Sequence, residues 1–219
     1  TNARLLAEYT EIYNLAVHLL TTYNNSSKVF LLANWEGDHA FLDSVDYDDF
    51  IDRKYVDYYA AFLQYRQRAV EDARKATAHY NVTVLHAIEV NRVLDVKDRP
   101  GSRRILSDIA SRVTPDVVSW SAYDGTISVS GWTASQALWE TTNEAYFNEG
   151  IALIRKAWPG CRISIGEVGL PENEAPVGFD VSEMIEIIRD WAVAAGVEWF
   201  IYWEVFDNEA GTPPDDYRG

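Results

Sequence analysis

The sequence predicts an α/β fold in which helices cover a parallel β-sheet of the (β/α) barrel type. Three observations carry this. Helical stretches alternate with short apolar runs along the whole chain, which is the signature of strand–helix–strand units. The apolar runs are nearly continuous rather than alternating with polar residues, as expected for strands buried on both faces. Every run ends in polar, charged or aromatic side chains, and a (β/α) barrel gathers its functional groups at the C-terminal ends of its strands.

The elements follow in order. From Ala3 to Tyr23, the apolar positions Leu5, Leu6, Tyr9, Ile12, Tyr13, Ala16, Val17 and Leu20 recur at helical spacing. Asn24-Asn25-Ser26-Ser27 breaks the pattern. Lys28–Ala33 reads as the first strand, followed by an Asp-rich polar segment. Residues 54–80 read as a long helix and Val82–Val90 as a β-branched second strand. Arg103–Val113 reads as a shorter helix and Asp116–Ala122 as the third strand. Thr133–Trp158 is a helix stopped by Pro159-Gly160, and Arg162–Gly166 is the fourth strand. Val181–Ala195 is a helix with Asp180 as its N-cap and Gly196 at its end. Val197–Trp203 is the fifth strand. No low-complexity linker divides the 219 residues, and a single domain over 1–219 is expected.

Composition excludes several classes of function. The chain carries 19 Lys+Arg against 34 Asp+Glu, a net charge of −15. Such a surface repels phosphate backbones and anionic lipid, so neither nucleic acid nor a membrane is an expected partner. A single cysteine, Cys161, forbids an intramolecular disulfide and any multi-cysteine metal site. No apolar run is long enough to cross a bilayer. No secretion signal is visible, so the three N-x-[ST] sequences at Asn24, Asn25 and Asn81 carry little weight and the cellular location stays open. G-x-G-x-x-G, Walker A and G-x-S-x-G sequences are all lacking, which argues against nucleotide binding and a serine-hydrolase elbow. Asp38, His39 and Asp43 have none of the usual metal-ligand spacings, so no metal and no cofactor are assigned. The 8 Trp and 13 Tyr suit a cleft for sugar rings or other flat ligands.

The strand ends supply the candidates. The first runs into Asn34-Trp35-Glu36-Gly37-Asp38-His39, the second into Glu89-Val90-Asn91-Arg92, and the third ends Ser119-Trp120-Ser121-Ala122-Tyr123-Asp124. The fourth ends Gly166-Glu167-Val168-Gly169, and the fifth Tyr202-Trp203-Glu204. Glu36 behind Asn34-Trp35, Glu167 at the end of ISIGE, Tyr123 and the terminal Trp203 together resemble the retaining glycoside hydrolases of clan GH-A. In that clan an acid/base Glu follows strand 4, a Tyr often follows strand 6, a nucleophile Glu ends strand 7 and a Trp commonly ends strand 8. The resemblance implies an incomplete TIM-type (β/α) barrel whose five strands are equivalent to strands 4–8. It also implies cleavage of β-glycosidic bonds by two glutamates, with Glu36 as acid/base and Glu167 as nucleophile. Trp35 stands where the clan usually has the Asn that directly precedes the acid/base Glu.

The chemistry asks for this pair independently of the resemblance. Retaining cleavage needs two carboxyls about 5–5.5 Å apart, one to attack the anomeric carbon and one protonated to release the leaving group. Trp35 would give Glu36 an apolar neighbour that favours its protonated form, and Gly166 and Gly169 would let a ligand approach Glu167. Asn34, Trp35, Glu89, Asn91, Tyr123, Trp203 and Glu204 are candidate substrate-binding residues. Glu89 and Asn91 alternate on one strand and so point the same way; facing inward they line the pocket, otherwise they are structural. Tyr123 is either a partner that orients Glu167 or a rim tyrosine, and Trp203 either a stacking floor for a sugar or barrel core. Core packing is favoured for Trp120, and His39 and His86 read as structural histidines.

An eight-stranded barrel typically needs about 250 residues, and the strands equivalent to 1–3 are not read in this sequence. Five parallel strands leave two open edges. A fragment of a longer product and a smaller open barrel are alternatives. The expectation is a homodimer or higher homo-oligomer that completes the barrel. The competing functions are a noncatalytic carbohydrate-binding or scaffold protein and a barrel esterase.

Overall fold

The run Val29–Ala33 forms strand β1, and it pairs in parallel with β2 (Thr83–Val90) from Val29↔Thr83 to Ala33↔Ala87. These contacts come from a computed structural model, which describes residues 2–42 and 53–203. The candidate Glu204 lies outside the described residues. Strands β3 (Val117–Ser121), β4 (Arg162–Val168) and β5 (Trp199–Tyr202) continue the sheet in the order β1-β2-β3-β4-β5, every pair parallel. The expected α/β architecture forms: five parallel strands curl into a half-barrel with helices outside, an incomplete (β/α) barrel.

Helix α1 (Asn2–Thr22) packs on α3 (Arg53–Ala76), burying Leu5, Ile12, Ala16 and Leu20 on one stripe. Short α2 (Gly37–Leu42) follows β1, and α4 (Asp95–Asp98) follows β2. Helix α5 (Gln136–Ala157) starts where the Ser135 side chain accepts from the Leu138 N–H, three residues after the expected start. Helix α6 (Val181–Ala194) has the expected cap, with Asp180 accepting from the Glu183 N–H at 3.0 Å, and ends at Gly196 with φ +67°. The helix expected over Arg103–Val113 does not form as one. Residues 105–109 make a wide π turn, and residues 110–112 a 3-10 turn. The buried Asp38 carboxylate takes the Ile105 N–H, and the side chains of Ser107 and Asp108 take the Arg104 N–H, so one tertiary bond and two local ones hold the start of this segment.

Period-2 alternation sorts the strand residues into two faces. Ile88, Val90, Val118, Trp120, Ile163 and Ile165 face outward into the main core, against Phe147, Ile151, Met184 and Ile188 of α5 and α6. The inward set begins apolar, with Leu85, Ala87 and Val117 packed beside Leu31 and Trp199. Toward the strand C-termini it turns polar, as Glu89, Ser119 and Ser121. A sheet face that is apolar at one end and polar at the other places one potential site, at the C-terminal rim.

Trp120 belongs to the core, fully buried against Phe147, with its indole N–H donated to Asp124 at 2.9 Å. His86 is also structural: it is buried, bonded to Gln67 at 3.0 Å, and burial pushes its pKa down to about 3, so the ring is neutral.

Candidate active site

The rim is built on buried carboxylates that tie one loop to the next. Asp38 accepts from the backbone N–H groups of Asn91, Arg92 and Ile105, at 3.0, 3.2 and 2.8 Å, and its own N–H donates to Asn91 Oδ1 at 3.0 Å. Burial raises the Asp38 pKa against the pull of those bonds. Asp124 accepts from the Leu94 N–H and from Trp120, and burial pushes its pKa up to about 7. Asp95 accepts from Arg92 and from fully buried Arg104. The turns after β1, β2 and β3 are thereby locked together, which is what side chains on different strands need to hold a fixed relative geometry.

Asn34 continues the β1–β2 ladder with its side chain. Its Oδ1 accepts from the Glu89 N–H at 3.1 Å, and its amide donates to the Glu89 carbonyl at 3.4 Å and the Tyr59 hydroxyl at 3.5 Å. The polar atoms of Asn34, and Oδ1 of Asn91, therefore brace the rim. Trp35 is 67% exposed, so it stands on the rim as an open aromatic face rather than as apolar cover for Glu36.

Glu36 sits in the turn between β1 and α2 with φ +27°, a left-handed backbone that a residue with a Cβ adopts at some cost. Its N–H donates to Glu89 Oε1 at 3.2 Å, and its Oε2 lies 2.9 Å from His39 Nδ1. Gly37 follows, and here only glycine fits: a Cβ would land on the Glu89 carbonyl oxygen, Ile105 and Asn34.

Glu167 is aimed by a β-bulge. The β3–β4 register runs Trp120↔Ile165 and then Ser121↔Glu167, so Gly166 is the extra residue. Bulges re-aim the side chains around them. A Cβ on Gly166 would collide with Ser119 Oγ, which explains the glycine. Tyr123 donates to Glu167 Oε1 at 2.9 Å. Burial raises the Glu167 pKa and the charge of Glu36 adds to the rise, while the Tyr123 bond opposes it.

Between the two lies Glu89, on the inward face of β2 and 8% exposed. Its Oε1 accepts from Ser121 Oγ at 2.6 Å as well as from the Glu36 N–H. Burial pushes its pKa up to about 7 against those two bonds, with the charges of Glu167 and Glu36 contributing. Trp203 is 53% exposed, and its N–H donates to the Val168 carbonyl, which fastens the end of β5 to β4.

The structure thus gathers Glu36, Glu89, Glu167 and Tyr123 on one concave rim, with Trp35 and Trp203 exposed beyond its two sides. Sequence reasoning missed His39 as a partner of Glu36; the three-residue spacing at the start of a helix was the available signal. It also missed Ser121, whose inward position follows from alternation with Trp120. Among the described residues no cluster of His, Cys, Asp and Glu has a metal-holding arrangement, and no helix is long and apolar enough to cross a membrane.

No protein-family model matches the sequence, and no curated protein matches it significantly.

Proposed function

We propose that the chain is a retaining glycoside hydrolase acting on β-glycosidic bonds. The observation that carries this reading is electrostatic and geometric together. Glu36 and Glu167 stand at the C-terminal ends of β1 and β4, close enough for the charge of one to raise the pKa of the other. The second of them is held by a tyrosine hydroxyl. The reading also draws on the resemblance of the strand-end residues to clan GH-A.

In the proposed reaction, Glu167 attacks the anomeric carbon as the glycosidic C–O bond breaks. Its burial makes the carboxylate poorly solvated and more basic, and Tyr123 holds the oxygen that does not attack. Glu36 gives a proton to the departing oxygen. A water then displaces the sugar from Glu167, and Glu36 takes the water's proton, which restores both carboxyls. His39 engages Glu36 Oε2, which leaves Oε1 to meet the leaving group. Trp35 and Trp203 offer exposed indole faces against which sugar rings stack.

The test is a panel of p-nitrophenyl glycosides and esters with Glu36→Gln and Glu167→Gln. Turnover of a β-glycoside that falls by at least about a thousandfold in each variant supports the reading; near-wild-type turnover in either overturns it. The two exposed tryptophans equally favour a noncatalytic carbohydrate-binding protein. That reading predicts oligosaccharide binding by calorimetry with no turnover. Ester turnover without glycoside turnover would point to a barrel esterase.

A homo-oligomer that completes the barrel belongs to the same proposal. Among the described residues β1 and β5 each pair on one side only, and Val29, Ile201 and Tyr202 are exposed there. Light scattering on the eluting protein tests it: a dimer or larger supports the proposal, and a monomer across the micromolar range overturns it.

A further inference from the structure

The proposed acid/base glutamate sits in an unfavourable backbone conformation, and something must hold it there. With φ +27°, Glu36 is one of four residues other than glycine with positive φ among those described, and the other three, Asn25, Ser27 and Asn81, have small polar side chains. A left-handed glutamate relaxes toward ordinary backbone angles unless surrounding bonds over-determine it. Among the described residues its N–H has one partner, Oε1 of Glu89, at 3.2 Å. That carboxyl is itself immobilised. Ser121 on β3 donates to the same oxygen at 2.6 Å, and Asn34 bonds both the N–H and the carbonyl of Glu89. The other oxygen, Oε2, lies against the bulge glycine, Gly166, next to Glu167.

We infer that Glu89 is a positioning residue: its carboxyl clamps the main chain of Glu36 in the left-handed turn that presents the Glu36 side chain to the cleft. This rests on the glycosidase reading for what Glu36 does, but not for what holds it. The clamp reaches three strands. It is anchored on β2, takes a hydroxyl from β3, holds the turn after β1, and abuts the bulge of β4. An acceptor oxygen is the feature required. Glutamine keeps an acceptor of the same reach, and alanine removes it.

The clamp is linked to protons, because a carboxylate accepts a hydrogen bond more strongly than a carboxylic acid. Among the described residues the titratable groups that face Glu89 are Glu36 from the β1–α2 turn, Glu167 from β4 and the buried Tyr59 hydroxyl from α3. Burial first, and the neighbouring acids after it, make ionisation of Glu89 harder, so the clamp tightens as the pH rises through about 7.

Two measurements on the full chain test this, one of them independent of activity. The first follows the Glu36 backbone amide proton by NMR from about pH 5 to 9. The resonance is expected to move downfield through a midpoint near 7 in the wild type, and to lose that transition in Glu89→Gln. An amide proton with the same pH dependence in both proteins overturns the proposal. The second compares β-glycosides whose leaving groups do and do not need a proton, an alkyl and a 2,4-dinitrophenyl glycoside. Glu36 also serves the second step, which both substrates share, so the comparison is made on kcat/KM, which reports cleavage of the glycosidic bond; there a misplaced acid hurts only the first kind. Glu89→Ala is expected to lose roughly tenfold or more kcat/KM on the alkyl glycoside beyond its loss on the dinitrophenyl one, with partial recovery in Glu89→Gln. Equal losses on both substrates overturn it. If the wild type cleaves neither glycoside, the glycosidase reading fails, and the amide titration alone decides whether Glu89 holds Glu36.

Discussion

Replacing Glu89 by Gln should stabilise the protein at alkaline pH. Glu89 is 8% exposed, so solvent screens its charge little, and its pKa is pushed from 4.5 up to about 7. A carboxyl with a raised folded pKa binds its proton more tightly in the folded state than in the unfolded one. Folding therefore bears no ionisation penalty from Glu89 below about pH 4.5. The penalty grows as the pH rises toward 7 and is constant above. At about 1.4 kcal/mol per pH unit between the two values, it reaches about 3 kcal/mol. Glutamine cannot ionise, so the variant escapes the penalty. It introduces an amide that must find a partner beside Gly166, but that cost does not vary with pH. The quantity to measure is thus the stability difference between variant and wild type at pH 8 minus the same difference at pH 5. Urea titrations followed by tryptophan fluorescence provide it, and it should come to about 2–3 kcal/mol in favour of the variant. The same difference at both pH values would refute the burial argument. A variant that is more stable yet slower would mark Glu89 as a site where stability is given up for function.

Other perturbations test the surrounding geometry. Tyr123→Phe removes a hydrogen bond donated to the charged form of Glu167; kcat/KM should fall about 10- to 100-fold, and the acidic limb of the pH profile should move to higher pH. An unmoved limb would mean that the bond does not control the ionisation of Glu167. Gly166→Ala should destabilise the protein by about 1–3 kcal/mol, because the new methyl meets Ser119 Oγ. The double variant with Ser119→Ala should recover part of that loss in thermal melts; full additivity of the two changes would refute the collision. His39→Ala frees Glu36 Oε2 and should lower kcat/KM for alkyl glycosides more than for dinitrophenyl glycosides; equal losses would refute a role for His39 in the acid step.

The strands and most helices were legible because burial on both faces leaves a local mark. KVFLLA, VTVLHAIEV and RISIG read as strands without knowledge of their neighbours, and Asp180 and Gly196 bound α6 by backbone chemistry alone. Glu36, Glu167 and Tyr123 were legible as strand-end residues of catalytic type. What was not legible depends on bonds between distant segments. Asp38 reads only as an acid after the first strand with no metal-ligand spacing, yet it gathers amides from residues 91, 92 and 105. The same carboxylate takes the Ile105 N–H at the start of the segment that does not wind into a single α-helix. Alternation showed that Glu89 and Asn91 point the same way, but not that they part in role. Glu89 reaches Glu36 and Ser121, whereas Asn91 is taken up by Asp38. The bulge at Gly166 leaves no trace in sequence periodicity, because one extra residue at a strand end looks like the start of a loop.

The proposed attack of Glu167 on the sugar can be trapped chemically. A 2-deoxy-2-fluoro β-glycoside with a dinitrophenyl leaving group slows the second step more than the first and so accumulates the covalent intermediate. Peptide mapping by mass spectrometry after incubation should find the fluorosugar as an ester on Glu167, with one equivalent of dinitrophenol released per chain. A label on Glu36 or Glu89, or dinitrophenol release without any covalent adduct, would contradict the account.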